Sequence, residues 1–377
     1  MSEGVWEAPG RVNLIGEHTD YNDGLVMPFA LSRTVVATAA RRDDGILRLH
    51  SADAPGAPGG QGTPGGPVEL RVDALAPGRG PRGWTDYPAG VLWALREAGH
   101  RVGGADLHYE STLPAGAGLS SSAALEVVTA LAVTELYGVE LGRREMALIC
   151  RRAENAYAGA PTGIMDQTAS ACCAEGHALY LDTRDLSRRQ IPFDPAAHGL
   201  ALLLIDTGVK HAHSTGAYGE RRAGCESAAA ALGLGSLREI PQEELPGALT
   251  RLTDPVQRAL TRHVVTENGR VERVRAALEA GRARAIGPLL TEGHASLRDD
   301  FAVSCPELDL AVRAALAAGA LGARMTGGGF GGSAIALVEA SARERVAGSV
   351  ERAFAEASFR RPEIFAAAPA AGARRLS

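Results

Sequence analysis

Lysine is nearly missing from this chain: Lys210 is the single one, and every other basic side chain is an arginine. A phosphate loop of the form Gly-x-x-x-x-Gly-Lys-Ser/Thr needs a lysine within it, so a Walker-type nucleotide site is excluded. The protein-kinase set is excluded as well, because His-Arg-Asp, Asp-Phe-Gly and the strand lysine are all absent. Positive charge is not in excess either. The net charge of −5 provides no broad basic field for nucleic acid. Cysteine is sparse, with Cys150, Cys172, Cys173, Cys225 and Cys305 forming an odd set without a Cys-x-x-Cys pair. Neither a zinc site nor a disulfide framework is indicated, and reduced, mostly buried thiols are expected. No N-terminal stretch joins a basic region to an apolar one. Apolar runs such as Leu200 to Ile205 stop far short of the roughly 20 residues that cross a bilayer. The expected location is cytoplasmic, without membrane attachment.

What is present is globular. The 377 residues are 45% hydrophobic and 22% charged, enough for a large core and long enough for two domains. Residues 12–15, 35–40 and 46–50 read as strands, so the front of the chain is a sheet. Residues 54–67 are almost all Gly, Pro and Ala, which predicts a mobile hairpin tip or insertion without chemistry. A helix is expected over 86–98 and a strand over 106–110. The loop 112–120 then feeds a second helix that ends near Tyr137, where Gly138 takes the left-handed position. Another helix over 143–157 places Met146, Ile149, Cys150, Ala153 and Tyr157 on one face. A composition shift after Asp182 and a buried strand from Leu200 set the boundary near residue 190, giving units 1–190 and 191–377. The second unit alternates helices over 218–232, 256–280 and 307–318 with a glycine loop and a strand over 333–338.

Three stretches carry chemistry. Arg11, Glu17, His18, Thr19 and Asp20 fall within ten positions beside Gly16, and their mixed donors and acceptors suit a neutral, polyhydroxylated ligand. The alternative is a solvated turn between two strands. From Leu113 to Glu126 a glycine-rich loop opens a helix, where unpaired N–H groups and the dipole favour an anion. There Gly116 and Gly118 allow close approach, and Ser120, Ser121 and Ser122 offer hydroxyls to phosphate or magnesium. The alternative is a serine helix cap. Gly327 to Gly332 fits Gly-x-Gly-x-x-Gly, but a strand follows, so it is read as a close-packing loop bordering the site. Asp166 falls at the start of a short helix and Glu154 twelve residues earlier. Taken singly, they are a first-turn acid and a surface charge.

Together these segments resemble the GHMP small-molecule kinases. Pro9 to Asn22 is similar to the galactokinase signature of that superfamily, Leu113 to Ala124 to its ATP loop, and Met325 to Ser333 to its third motif. Gly163-Ile-Met-Asp166, Ala153-Glu-Asn155 and Ala217 to Arg222 extend the resemblance over nearly the full length. It implies an α+β, two-domain fold. The N-terminal part is then a mixed sheet with helices, like domain 2 of ribosomal S5, the C-terminal part an α/β sandwich, and the active site the cleft between them. It also implies ATP-dependent phosphorylation of the anomeric hydroxyl of D-galactose, the first committed step of galactose catabolism, giving α-D-galactose 1-phosphate and ADP.

By the same resemblance Asp166 is the catalytic base, and Arg11 stabilises the transition state and keeps the aspartate ionised. Glu17, His18, Thr19, Asp20, Gly163 and Tyr218 hold the sugar. Gly116, Ala117, Gly118, Leu119, Ser120, Ser121 and Ser122 hold the ATP phosphates, with Ser122 and Glu154 at the Mg²⁺ positions. Ser51 touches the nucleotide, and Trp84 and Tyr87 lie beside the adenine. Small molecules are the only partners implied, with no nucleic acid, no membrane and no obligate protein partner.

Three departures stand out. The first motif begins within a few residues of Met1, where relatives carry a longer lead, so either packing from such a segment is missing or the start is misassigned. Thr162 replaces a cysteine common in relatives, a change expected to be tolerated, and the Gly/Pro stretch is an atypical insertion at a tip. Two other readings keep the fold: a galactose and ATP sensor without turnover, and a kinase for N-acetylgalactosamine or a similar sugar.

Overall fold

The structure, a computed structural model, describes residues 2–52, 66–78, 83–114, 116–210 and 214–377. Most of the Gly/Pro stretch, and Ala115 of the glycine-rich loop, lie outside the described residues. The strands are β1 (Glu3–Asn13), β2 (Leu25–Val26), β3 (Pro28–Arg42), β4 (Ile46–Ser51), β5 (Val68–Arg71), β6 (Gly104–Ser111), β7 (His177–Asp182), β8 (Arg188–Pro192), β9 (Leu200–Lys210), β10 (Gly322–Thr326), β11 (Gly331–Glu339), β12 (Glu363–Ala367) and β13 (Arg374–Arg375). The helices are α1 (Asp86–Glu97), α2 (Ser121–Leu136), α3 (Arg143–Arg152), α4 (Met165–Cys172), α5 (Ser214–Leu232), α6 (Leu245–Arg251), α7 (Pro255–Glu279), α8 (Gly287–Asp299), α9 (Pro306–Ala317) and α10 (Arg343–Glu356).

A six-stranded sheet in the order β13-β1-β3-β6-β4-β5 forms the first layer, antiparallel except for the β4–β6 pair. Period-two alternation decides which face is covered: Trp6, Ala8, Val35, Ala37 and Ala39 are buried, while Thr38 and Glu110 on the other face are exposed. Against the covered face lies α2, buried from Ala123 to Val133 except at Leu125, with α1 and α3 around it. A helix so apolar around its circumference is stable only as an interior element. It ends where Gly138 takes φ 65°, as the sequence requires.

The second layer system is built on β10-β11-β9-β12, wholly antiparallel, with α9 and α10 packed on it. Its two central strands, β9 and β11, are near-continuous apolar runs, the pattern of strands covered on both faces. A small sheet, β2-β7-β8, joins the two assemblies through α7, which packs on β2 and β8. The chain then returns on itself: β13 pairs with β1, Trp6 opposite Arg375, so the last residues lie on the first sheet.

Two details depart from the sequence reading. The first strand runs Glu3–Asn13 rather than 12–15, leaving Leu14 and Ile15 as buried loop residues. The helix expected over 143–157 stops at Arg152 and continues as a π-helical turn, Ala153–Ala158, the wider winding often found where a helix carries a functional side chain. The five cysteines are unpaired, and all but Cys172 are buried. Among the described residues, no helix is long and apolar enough to cross a membrane.

Candidate active site

A register shift in the β1–β3 ladder between Pro9 and Arg11 aims the next side chain away from the regular pleat. The backbone N–H of Arg11 donates to the Leu119 carbonyl (3.1 Å) in the glycine-rich loop. Its guanidinium grips Asp166 with two parallel bonds, Nε to Oδ1 and Nη2 to Oδ2, both 2.8 Å, and Nη1 donates to the Gly118 carbonyl (2.7 Å). Such a planar fork fixes both groups in direction as well as in distance. Ser120 donates its hydroxyl to Asp166 Oδ2 (2.5 Å) rather than capping α2, and it does so from a left-handed backbone, φ 58° and ψ 47°. A non-glycine residue held there is a mark of a functional constraint.

These residues line a cavity of about 500 Å³ together with Glu17, His18, Asp20, Gly163, Tyr218 and the loop 326–332. A larger hollow of about 640 Å³ on the open face of the six-stranded sheet is lined by none of the expected site residues. The turn 16–20 is not solvated, since Glu17, His18 and Thr19 are buried. His18 is held in one tautomer. Its Nε2–H donates to the Gly328 carbonyl (3.1 Å), so Nδ1 accepts from the Tyr21 hydroxyl (2.8 Å). Burial pushes its pKa down to about 3. At Asp20, burial foremost and then the charge of Asp166 raise the carboxyl to about 6. Glycine is obligatory at 163, because a Cβ there would fall 1.7 Å from Asp20 Oδ2.

The two glycine-rich loops meet across the cavity. A Cβ on Gly327, at φ 86°, would sit 3.1 Å from the Gly118 carbonyl, and Ser333 donates its hydroxyl to the Ala117 carbonyl (2.7 Å). The loop 327–332 therefore borders the site, as its spacing suggests. Beside it, Ser122 donates to Glu154 Oε1 (2.9 Å), while Glu154 Oε2 accepts from Thr162 (2.6 Å) and from Gln167 Nε2 (2.5 Å). Glu154 is buried, not a surface charge, and burial raises its pKa. A hydroxyl and a carboxylate side by side form a hard oxygen set that fits Mg²⁺, which usually takes one or two carboxylates and completes its shell with phosphate oxygens and water.

Some expected site residues lie off the cavity wall. Thr19 is buried, with its hydroxyl shared between the Gly16 and Leu25 carbonyls (2.8 and 2.7 Å). Ala117 contributes a carbonyl bonded to Ser333 rather than a lining atom. Ser51 ends β4, half-buried and outside the lining. Trp84 meets Tyr109 edge to face at 5.9 Å, and Tyr87 is raised to about 12 by burial, with the Glu154 and Glu126 carboxylates adding to it. Others were not singled out from sequence: Arg324 and Glu267, both fully buried, and Glu126, linked to Glu154 through Gln167 Nε2 (3.2 Å to Glu126 Oε2). A signal existed for them: an acid at 267 interrupts the apolar face set by Val264 and Val271, and an arginine sits in the otherwise apolar strand β10.

Residues 1–41 match a galactokinase galactose-binding signature, 86–174 a GHMP kinase N-terminal domain, and 274–356 a GHMP kinase C-terminal domain. A Streptomyces coelicolor galactokinase is 66% identical over 99% of this chain and 94% of its own length. A Mycobacterium tuberculosis galactokinase is 44% identical over 97% of each. The structure of Lactococcus lactis galactokinase complexed with galactose superposes with a TM-score of 0.93 at 31% identity, covering 99% of this chain and 95% of that one. A mevalonate kinase, 18% identical with a TM-score of 0.64, shares the fold.

Proposed function

Since the chain belongs to the galactokinase family of the GHMP kinases, we propose that it transfers the γ-phosphate of ATP to the anomeric hydroxyl of D-galactose, giving α-D-galactose 1-phosphate and ADP. The observation that carries this reading is the Arg11–Asp166 fork, which shares one cavity with the serine-bearing loop, Asp20 and Gly163.

Phosphoryl transfer demands positioning and charge stabilisation more than covalent chemistry. In this reading Asp166 accepts the proton of the C1 hydroxyl, and Arg11 orients the carboxylate and stabilises negative charge developing on the transferred group. Glu17, His18, Asp20, Gly163 and Tyr218 surround the sugar, with Thr19 holding the turn. The His18 ring spends both nitrogens on Tyr21 and Gly328, so its share is shape, and its ring stands 5.3 Å from that of Tyr218. Gly116 to Ser122 present backbone N–H groups and hydroxyls to the phosphates at the start of α2. Ser122 and Glu154 would hold Mg²⁺, with Thr162 and Gln167 fixing the carboxylate. When bound, the ion neutralises charge on the β- and γ-phosphates. Ser51, Trp84 and Tyr87 are assigned to the nucleoside end. The division into units 1–190 and 191–377 belongs to the same proposal, with β13 returning to the first unit, as does a cytoplasmic location.

The test is ADP release measured with galactose, glucose, N-acetylgalactosamine and arabinose in turn. Galactose-dependent release is expected. Binding without release would instead make the chain a sensor, and preference for N-acetylgalactosamine would reassign the substrate.

A further inference from the structure

Beneath the sugar turn lies a buried cluster of charged side chains, one of which, Glu17, reaches the cavity wall. Arg324 of β10 is fully buried and ion-paired through Nη2 with Glu17 Oε2, with the Glu267 carboxylate of α7 3.4 Å from the same nitrogen. Its Nη1 donates to the Leu14 carbonyl (3.1 Å), which fixes the plane of the guanidinium. Glu267 has a cation of its own: Arg270 Nε donates to it at 2.6 Å, and the Gly16 N–H adds a bond of 2.9 Å. The charge of Arg324 is thus shared between the two carboxylates, with the shorter contact to Glu17. The neutral partners of Glu17 are fewer than they look. Thr326 has one hydroxyl proton, and the Asn13 carbonyl (2.8 Å) takes it in preference to Glu17 Oε1 (3.3 Å), leaving the Gly327 N–H (3.1 Å) as the dependable donor.

We propose that Arg324 is a positioning residue for the sugar: clamped between Glu17 and Glu267, it sets the direction and the negative charge of the Glu17 carboxylate at the cavity wall. This rests on the reading of Glu17 as a sugar-binding residue. An ionised carboxylate only accepts hydrogen bonds, whereas the neutral acid also donates, so its charge state decides which sugar hydroxyl geometry it satisfies. Burial favours the neutral acid most strongly, Arg324 opposes it, Glu267 acts with it, and the Gly327 N–H and Arg11 act against it; the balance leaves the Glu17 carboxyl raised to about 7. Among the other titratable groups of the site, His18, His263 of α7 and His294 of α8 are lowered by burial to about 3, 4 and 4 and stay neutral above pH 5.5, whereas Asp20, raised to about 6, titrates inside the window and does so alike in every variant, so only the shift between variants reports on Glu17.

Two substitutions push in opposite directions. Galactose affinity is measured by calorimetry without nucleotide, alongside steady-state turnover, from pH 5.5 to 9. In Arg324→Met the acid limb of galactose binding is expected to move to higher pH by about one unit or more, with affinity at pH 7.5 falling at least about threefold and KM for ATP little changed. Arg324→Lys, which keeps the charge, restores the limb. Glu267→Gln removes the rival carboxylate and moves the limb to lower pH. Should both Arg324→Met and Glu267→Gln shift it the same way, or galactose affinity and KM for ATP worsen in parallel, the cluster is mere packing and the proposal fails. If Arg324→Met does not fold, the Arg324→Lys and Glu267→Gln profiles decide. Absence of turnover in the unmodified chain would overturn the kinase reading instead, since the binding profile is measured independently of catalysis.

Discussion

The two ends of the cavity are built from opposite materials. At the sugar end, carboxyl and guanidinium side chains face one another in the interior, Glu17 with Arg324 and Glu267 with Arg270, and half-buried Asp20 fills the space a Cβ on Gly163 would need. At the phosphate end the wall is main chain and small hydroxyls, with Gly116, Gly118 and Ser121 exposed. Rigid charge pairs in a dry setting discriminate among neutral hydroxyl patterns, because a mismatched partner leaves a buried group unpaired. Backbone N–H groups at a helix start hold a multiply charged anion whatever the nearby side chains. Single substitutions should therefore cost far more at the sugar end.

The junction of the two ends should show the largest effect. Asp166→Ala removes the group gripped by Arg11 and is expected to lower kcat by about 10²–10⁴-fold while galactose still binds in calorimetry. Near-normal kcat would remove Asp166 from its role. Next, Gly163→Ala drives a methyl group into Asp20 and is expected to weaken galactose by roughly 10²-fold with KM for ATP unchanged. A parallel rise in both would mean the two ends are not separate.

Asp20→Asn tests what the sugar end costs the fold. Because the folded-state pKa of Asp20, about 6, lies above its ordinary 3.8, the folded chain takes up this proton more readily, and ionisation weakens the fold as pH rises through that window. The variant should gain roughly 1–2 kcal/mol at pH 8, reduced by the solvent that still reaches the cavity, and nothing below pH 4. Thermal melts at the two pH values read the difference, and an equal gain at both would refute the electrostatic cause. Smallest of all, Ser121→Ala should leave KM for ATP within about threefold, since its side chain is exposed and backbone donors remain. A large loss there would erase the contrast between the ends.

Local signals were legible in the sequence where a contact depends on neighbours along the chain. The glycine loop before α2, the left-handed Gly138 and the apolar run of β9 all follow from short stretches. So does the placement of Asp166 in the first turn of α4. Less legible was anything fixed by distant partners. Nothing near residue 153 announces a switch to π winding, nor that Glu154 within that turn meets Ser122, Thr162 and Gln167. Arg324 stands out as a charge within β10, but its partner Glu17, some 300 positions earlier, is set only by the tertiary fold. The role expected of Thr19 as a direct sugar contact looked different once its hydroxyl was seen turned to two carbonyls of its own turn.

The return of β13 to β1 has a consequence for how the chain is made. At roughly 5–20 residues per second, about 20 to 75 s separates emergence of Trp6 from the ribosome and that of Arg375, its partner in the ladder. Throughout that interval the nascent first sheet offers an unpaired edge, a template for wrong pairing that a chaperone or a neighbouring polysome chain can reach. Residues 374–375 thus act as a late-arriving seam, completing the first-made layer long after its other strands have been synthesised.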